Sequence, residues 1–481
     1  MLKFAMAAVI ALVSGSAQAQ VTGGNVLNNS KPNTYSSAGN TPWLPTGANE
    51  SFGSFHAGGV AACDGCHVMH NANNGNIRST AVAPWSNAVP AFLLQGSDQS
   101  STCLLCHGSA STSVGLGASA TPFVMTNTST TASYMQYTPG GDFGWLKIGG
   151  TKEPSLNSHG HNVVASDFGF AADSRVAPGG TYKGAADGSG AFACSNCHDP
   201  HGRYRMQGDS ATWNWAYPGG TGTAAINQPI YSSGSYGNPP TATGAVGSYR
   251  LLAGRGYVPA SNVANPFPFP NNPPVAVAPL GYNKQEAGGG VQEVRVAYGS
   301  GMSEWCQNCH TNIHLDNYVS GAMNATGQRH PAGSDAFLKI DQANVYNTYV
   351  SSGKWAANQQ RYTSLVPFES ANKIKYDGVG GKTPDLAILA AATAPGADPV
   401  IFKASTDSNV MCLSCHRAHA SAFAGMTRWN VDDTFITNGT SGYVDTQGRG
   451  TTLLTAGYYG RAAGEFGSFQ RSLCNKCHGK D

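Results

Sequence analysis

Cys194-Ser195-Asn196-Cys197-His198-Asp199-Pro200-His201 places two thiols three residues apart and an imidazole directly after the second. The same Cys-x-x-Cys-His unit recurs at Cys63, Cys66 and His67; at Cys103, Cys106 and His107; at Cys306, Cys309 and His310; at Cys412, Cys415 and His416; and at Cys474, Cys477 and His478. The chain has 12 cysteines, and every one lies in such a unit. Zinc ribbons, disulfide frameworks and thioredoxin-like pairs also use paired cysteines, but none requires a histidine after every second one. At this spacing two thiols reach the two vinyl groups of one porphyrin while the adjacent imidazole turns onto its iron, which is the signature of covalent haem attachment. Six units predict six haem c groups, with His67, His107, His198, His310, His416 and His478 as proximal iron ligands.

Haem iron takes two axial ligands, so six irons need six further side chains. Removing the six proximal histidines from the 14 in the chain leaves eight: His56, His70, His159, His161, His201, His314, His330 and His419. That supply nearly matches the demand and predicts bis-histidine ligation. Methionine is the alternative sixth ligand and would raise the potential; Met69 and Met411 lie close to haem motifs. His70, His201, His314 and His419 each follow a motif by a few residues. A histidine so close to its own motif cannot easily reach the far face of its own haem, but can ligate a haem alongside, which implies closely stacked porphyrins. Asp199-Pro200 and Pro331, beside ligand candidates, stiffen the backbone that presents them.

The spacing between motifs is irregular, and no fixed-period repeat is present. The 61 glycines and 26 prolines, with abundant Ser, Thr and Asn, interrupt almost every stretch of helical or strand periodicity. Such composition ordinarily indicates disorder, but six covalently fixed macrocycles supply the buried apolar surface that helices and sheets usually provide. The expected fold is mostly irregular coil with a few short helices and minimal strand, a single multihaem cytochrome c domain over residues 55–481 wrapped around a stacked haem core. Helices are predicted at Ser334–Ser352, Pro384–Ala394 and Thr455–Arg471. Residues 1–19 read as a cleaved signal peptide: a basic Lys3, a short apolar run and an Ala17-Gln18-Ala19 tail. Residues 20–54, rich in Gly, Ser, Asn and Pro and lacking Cys and His, read as a low-complexity extension. No segment has the run of about 20 apolar residues that a membrane helix needs, so no transmembrane segment is expected. A net charge of +2 without basic runs argues against a nucleic-acid partner.

Further segments carry a resemblance. Phe55 to Asn71 (FHAGGVAACDGCHVMHN), Thr138 to Trp145, Gly160-His161-Asn162, Cys194 to Arg205, Val294 to His314, Arg329 to Gly333, Cys412 to Thr427 and Gln470 to Asp481 are similar to the OmcS-type hexahaem cytochromes. The resemblance spans all six haem motifs. It implies a coil-rich subunit that polymerises head to tail into an extracellular filament, with haems in a continuous chain of parallel and T-shaped pairs. It also implies bis-histidine ligation throughout, with His70 ligating a haem of the adjacent subunit; an interface of this kind does not close on itself. His159 has no counterpart in the family, which leaves His56, His70, His161, His201, His314, His330 and His419 as the distal candidates. The family begins near the Phe55-His56 pair, whereas this chain carries 35 residues between Ala19 and Phe55.

The expected function is a secreted electron carrier, exported through the periplasm to the cell surface and extracellular space. It would pass respiratory electrons, together with other multihaem cytochromes, to extracellular acceptors such as metal oxides, and would convert no substrate. Two alternatives are a monomeric periplasmic shuttle and a multihaem oxyanion reductase. The second needs an iron with an open position and neighbouring acid or base groups, and the histidine supply argues against it.

Overall fold

The computed structural model describes residues 66–67, 72–73, 76–77, 93–108, 124–126, 140–147, 159–171, 192–200, 207–209, 214–216, 252–259, 268–271, 273–274, 276–277, 297–310, 330–333, 336–351, 367–370, 404–440, 442–458 and 462–478. Regular structure among them is sparse. Helices α1 (Gln99–His107), α2 (Met302–Cys306), α3 (Ile340–Ser351), α4 (Cys412–Cys415) and α5 (Thr451–Gly457) occur there beside turns, 3-10 segments and extended chain.

The strands are two or three residues long. β1 (Ala72–Asn73) pairs with β2 (Asn76–Ile77), and β3 (Gln207–Asp209) with β4 (Asn214–Ala216), both antiparallel. β5 (Ala276–Val277), β6 (Ala297–Tyr298), β7 (Phe368–Ser370) and β8 (Ser408–Val410) form a four-stranded sheet in that order, with a parallel step between β6 and β7. This sheet lies where two haem motifs start: β6 runs towards α2, and β8 leads through Met411 into α4.

The largest apolar core gathers around Tyr458. Its ring stacks on Tyr443 at 5.1 Å and meets Phe423 at 4.9 Å, Trp429 at 5.8 Å and Phe466 at 5.6 Å. Its hydroxyl accepts the Asn430 N–H at 3.0 Å, so the buried oxygen keeps a partner. Burial raises the Tyr458 pKa above its usual range. A smaller core of Leu104, Met125, Phe143, Val163, Ala165 and Phe170 packs beneath α1.

α3 forms inside the predicted Ser334–Ser352 window but starts later. Residues ahead of it are held extended against β8: the Leu338 N–H donates to Ser408 O at 2.9 Å and the Val410 N–H to Ala336 O at 3.0 Å. Inter-strand pairing there outcompetes the helical pattern. Once started, the helix buries Tyr346 edge-on against Phe368 at 4.9 Å, and Asn347 clamps Ala404 through both its amide atoms.

The predicted Thr455–Arg471 helix is not formed. α5 begins at Thr451 and ends at Gly457, whose α-carbon is so close to Ala422 that a Cβ would lie 2.7 Å from it. Beyond it come a 3-10 turn at Ala463–Glu465 and Phe469 with φ +53°. Four glycines in that stretch, Gly457, Gly460, Gly464 and Gly467, make continuation costly, and burying the Tyr458 ring fixes the chain direction instead. The Pro384–Ala394 expectation lies outside the described residues.

Trp429 is 1 % exposed and touches Tyr458 and Phe466. Trp429→Ala should cost about 3–5 kcal/mol, read as a lowered denaturant midpoint with the haem spectrum intact below the transition.

Candidate haem array

The second to sixth Cys-x-x-Cys-His units are each folded as one turn. In the third, fourth, fifth and sixth motifs the histidine N–H donates to the carbonyl of the first cysteine, at 3.0, 3.0, 2.9 and 3.0 Å. The second motif forms the C-terminal part of α1. One helical turn puts the first thiol and the imidazole, four residues apart, on the same face. A planar cofactor can then be held at its edge and at its metal by one short segment.

α1 is set by Asp98, whose carboxylate caps Ser101 N–H at 2.7 Å and also receives Ser166 N–H at 2.7 Å. α2 carries the fourth motif, and its Trp305 Nε1 donates to Ala253 O at 2.8 Å. Ala253 N–H in turn donates to Cys197 O of the third motif at 2.9 Å.

The turns are tied together in chain order. Gln95, just ahead of α1, donates its N–H to Cys66 O of the first motif at 2.8 Å. Cys194 N–H donates to Ser100 Oγ at 3.1 Å, joining the third motif to the second. Cys412 N–H donates to Ser303 Oγ at 3.1 Å, joining the fifth to the fourth. Ser100 and Ser303 occupy the same place, three residues before Cys103 and Cys306 respectively. Thiols follow the same pairing: Cys103 hydrogen-bonds Cys194, and Cys306 hydrogen-bonds Cys412. Cys197 stands near Cys309, and Cys415 near Cys474 and Cys477, which continues the succession from third to fourth and from fifth to sixth.

None of the ten described cysteine side chains is joined in a disulfide. Burial pushes the Cys415 thiol up to about 11 and that of Cys477 up to about 12. Cys194 is lowered, first through its hydrogen bond from Cys103 and despite burial. Raised thiols of this kind are poor at disulfide exchange.

The described histidines form three facing pairs. His198 and His419 have ring centroids 6.3 Å apart, His161 and His310 6.1 Å, and His330 and His478 6.0 Å. Metal–imidazole bonds of about 2 Å on opposite sides of one ion put ring centroids about 6 Å apart, so the three pairs fit a six-coordinate haem iron. In each pair one member belongs to a Cys-x-x-Cys-His unit and the other is a distal candidate. His419 follows the fifth motif yet faces the histidine of the third.

Second contacts orient these rings. His161 Nδ1 donates to Ala418 O at 2.6 Å, His330 Nδ1 to Pro331 O at 2.8 Å and His416 Nδ1 to Gly425 O at 2.7 Å. A carbonyl can only accept, so each Nδ1 carries the proton and Nε2 is left with the lone pair that a metal could take. Burial lowers the His161 pKa, with the neighbouring His310 and His416 adding to the effect, so the ring is neutral and its lone pair available at neutral pH. Phe143 stacks on His419 at 4.7 Å and Phe192 on His161 at 5.5 Å. His159 is different: it is buried, its Nδ1 lies 3.0 Å from Ser421 O, and its Nε2 is enclosed by protein. Cys63, His56, His70, His201 and His314 lie outside the described residues, and Cys106 lies within α1.

A set of recurring cysteine–histidine turns with facing imidazoles defines a c-type cytochrome. No family model matches the chain. It is 42% identical over 448 residues to the C-type cytochrome OmcS of Geobacter sulfurreducens, covering 89% of this chain and 94% of that protein. Two solved structures from the same organism, one of OmcS nanowires and one of an outer-membrane cytochrome S filament, match with TM-scores of 0.66 and 0.65. Both are 39% identical, covering 89% of this chain and 100% of theirs. The chain belongs to the OmcS family of cytochromes.

Ser100 and Ser303 were not singled out from the sequence. Their shared Ser-x-x-Cys spacing ahead of the second and fourth motifs was the available signal. Glycines also shape the site: a Cβ on Gly160 would lie 2.3 Å from His419 O. Gly160→Ala should therefore displace the His419 segment, cost about 1–3 kcal/mol by overpacking, and convert part of one haem's low-spin absorption to high-spin, measured by electron paramagnetic resonance.

Proposed function

We propose that the chain is the repeating subunit of an extracellular filament that conducts electrons, carrying six haem c groups and converting no substrate. The observation that carries this reading is the unbroken succession of contacts from the first motif to the sixth, together with imidazole pairs at the spacing of a six-coordinate iron. Bound haem supplies reversible one-electron chemistry. The chain's part is to fix cofactor positions, exclude open coordination sites and set the environment of each iron.

On this reading His198 and His419 hold one iron, His310 and His161 a second, and His478 and His330 a third. The remaining proximal histidines, His67, His107 and His416, draw their partners from His56, His70, His201 and His314. The His416 ring is exposed and anchored through Nδ1, and its neighbourhood suits a ligand arriving from outside the subunit. We assign that role to His70 of the adjacent copy, which makes assembly and coordination one event. The contact is heterologous and open-ended, so it propagates a filament rather than closing a ring.

Export follows from residues 1–19 as a signal peptide, through the periplasm to the cell surface. Residues 20–54 form an extension ahead of the cytochrome domain at 55–481. Partners are further copies of the chain, other multihaem cytochromes and extracellular acceptors such as metal oxides. No helix among the described residues is long and apolar enough to cross a membrane.

The test combines coordination with assembly. The reduced wild-type filament should bind no carbon monoxide, whereas His419→Ala should open one iron per chain and bind about one equivalent. His70→Ala should abolish filaments in negative-stain micrographs and expose one further iron. Carbon monoxide binding by the wild type, or normal filaments of the His70 variant, would overturn the reading.

A further inference from the structure

Glu369 is fully buried in the centre of β7, between the two segments that deliver the fourth and fifth haem motifs. Its Oε2 accepts the N–H groups of Gly301 at 3.1 Å and Met302 at 3.2 Å, at the start of α2, the helix that ends in Cys306. On its other side it is in register with Asn409 of β8, the strand that leads into Cys412, and the Asn409 side chain hydrogen-bonds the carboxyl group. Cys306 and Cys412 themselves touch. A titratable group thus sits at the root of both attachment turns, and its Oε1 is buried with no partner.

We propose that Glu369 is a proton-binding site coupled to the electron occupancy of the fourth and fifth haem positions. As an electron arrives there from the donor that feeds the array, the Glu369 carboxylate takes one proton from solvent and forms an O–H bond. When the electron passes on, that bond breaks and the proton returns to solvent; with an affinity change of about tenfold, up to about half a proton on average is taken up and released per electron.

The surroundings favour this role. Among the described residues the buried carboxylate is bonded by two backbone N–H groups and an amide, and no cation there holds it ionised. Burial, and then the nearby Glu304 of α2, push its pKa up to about 8. Tyr298 is its register partner on β6, and Asn409 on β8 is uncharged. A group poised near neutral pH changes protonation with a modest field, whereas one in the ordinary carboxylate range stays ionised. A unit charge on the order of 10 Å away, at an effective dielectric constant of about 20, alters its proton affinity about tenfold. By linkage the acid and alkaline potentials then differ by about 59 mV.

The proposal rests on haems occupying both motifs, so the haem content of each protein is first measured by intact mass; a shortfall there refutes that reading, separately from this one. Wild-type, Glu369→Gln and Glu304→Gln filaments are then titrated spectroelectrochemically between about pH 6 and about pH 10. In the wild type a subset of haem potentials should fall as pH rises through the value near 8, because deprotonation places a negative charge beside the array. Glu369→Gln should remove that dependence. Glu304→Gln, which leaves Glu369 in place, should move it to lower pH by taking away the neighbouring negative charge. An unchanged profile in Glu369→Gln overturns the proposal. Should that variant fail to assemble, an unmoved profile in Glu304→Gln does so.

Discussion

The bond from a histidine N–H to the carbonyl of the cysteine four residues earlier, 2.9–3.0 Å in four of the motifs, decides how each attachment turn presents its groups. It winds the first thiol and the imidazole onto one face, so that a short loop supplies the attachment chemistry without help from a larger scaffold. Because the turn is self-contained, the rest of the chain is released from building a cofactor pocket out of long helices. Its task is to hold successive turns at fixed separations.

That task is met by polar links between segments far apart in sequence. Ser100 and Ser303 receive the first N–H of the next motif, and Trp305 reaches through Ala253 to the turn at Cys197. The fifth motif is the centre of this network. His419 N–H donates to Gly140 O, His161 N–H to His419 O, and Ser421 N–H to His159 O, so two distant strips of chain lie on the segment that carries His419, a proposed distal ligand. Close approach of those strips requires small residues: Gly141 adopts φ +83° with its α-carbon over Ala420 O, where any side chain would collide with backbone. The aromatic cluster around Tyr458 then anchors the sixth motif: the buried Lys476 amine lies 5.3 Å from the centre of the Trp429 ring and donates to Arg471 O at 2.9 Å.

Much of this was legible in the residues. The coil-dominated fold follows from the glycine and proline content, and the one-turn folding of the Cys-x-x-Cys-His units from their spacing, since both are local properties. The helix over Ile340–Ser351 was visible for the same reason. Which imidazole faces which was not, because His161 and the Ala418 carbonyl that orients it are 257 residues apart and no spacing rule reaches that far. The false helix across Thr455–Arg471 shows periodicity overruled by burial of one tyrosine ring. Glu369 was invisible because a lone glutamate in Pro367-Phe368-Glu369-Ser370 reads as an exposed strand residue until Gly301, Met302 and Asn409 close around it.

Electron flow along a filament depends on irons that are fully ligated and on turns that succeed one another without a break. A density map of the assembled protein at side-chain resolution tests both together. The account predicts one iron between His198 and His419, one between His161 and His310 and one between His330 and His478, with the six haems following chain order from the first motif to the sixth. A methionine, a water or His159 in any of those axial positions, or a haem order that departs from the order of the motifs, would contradict it.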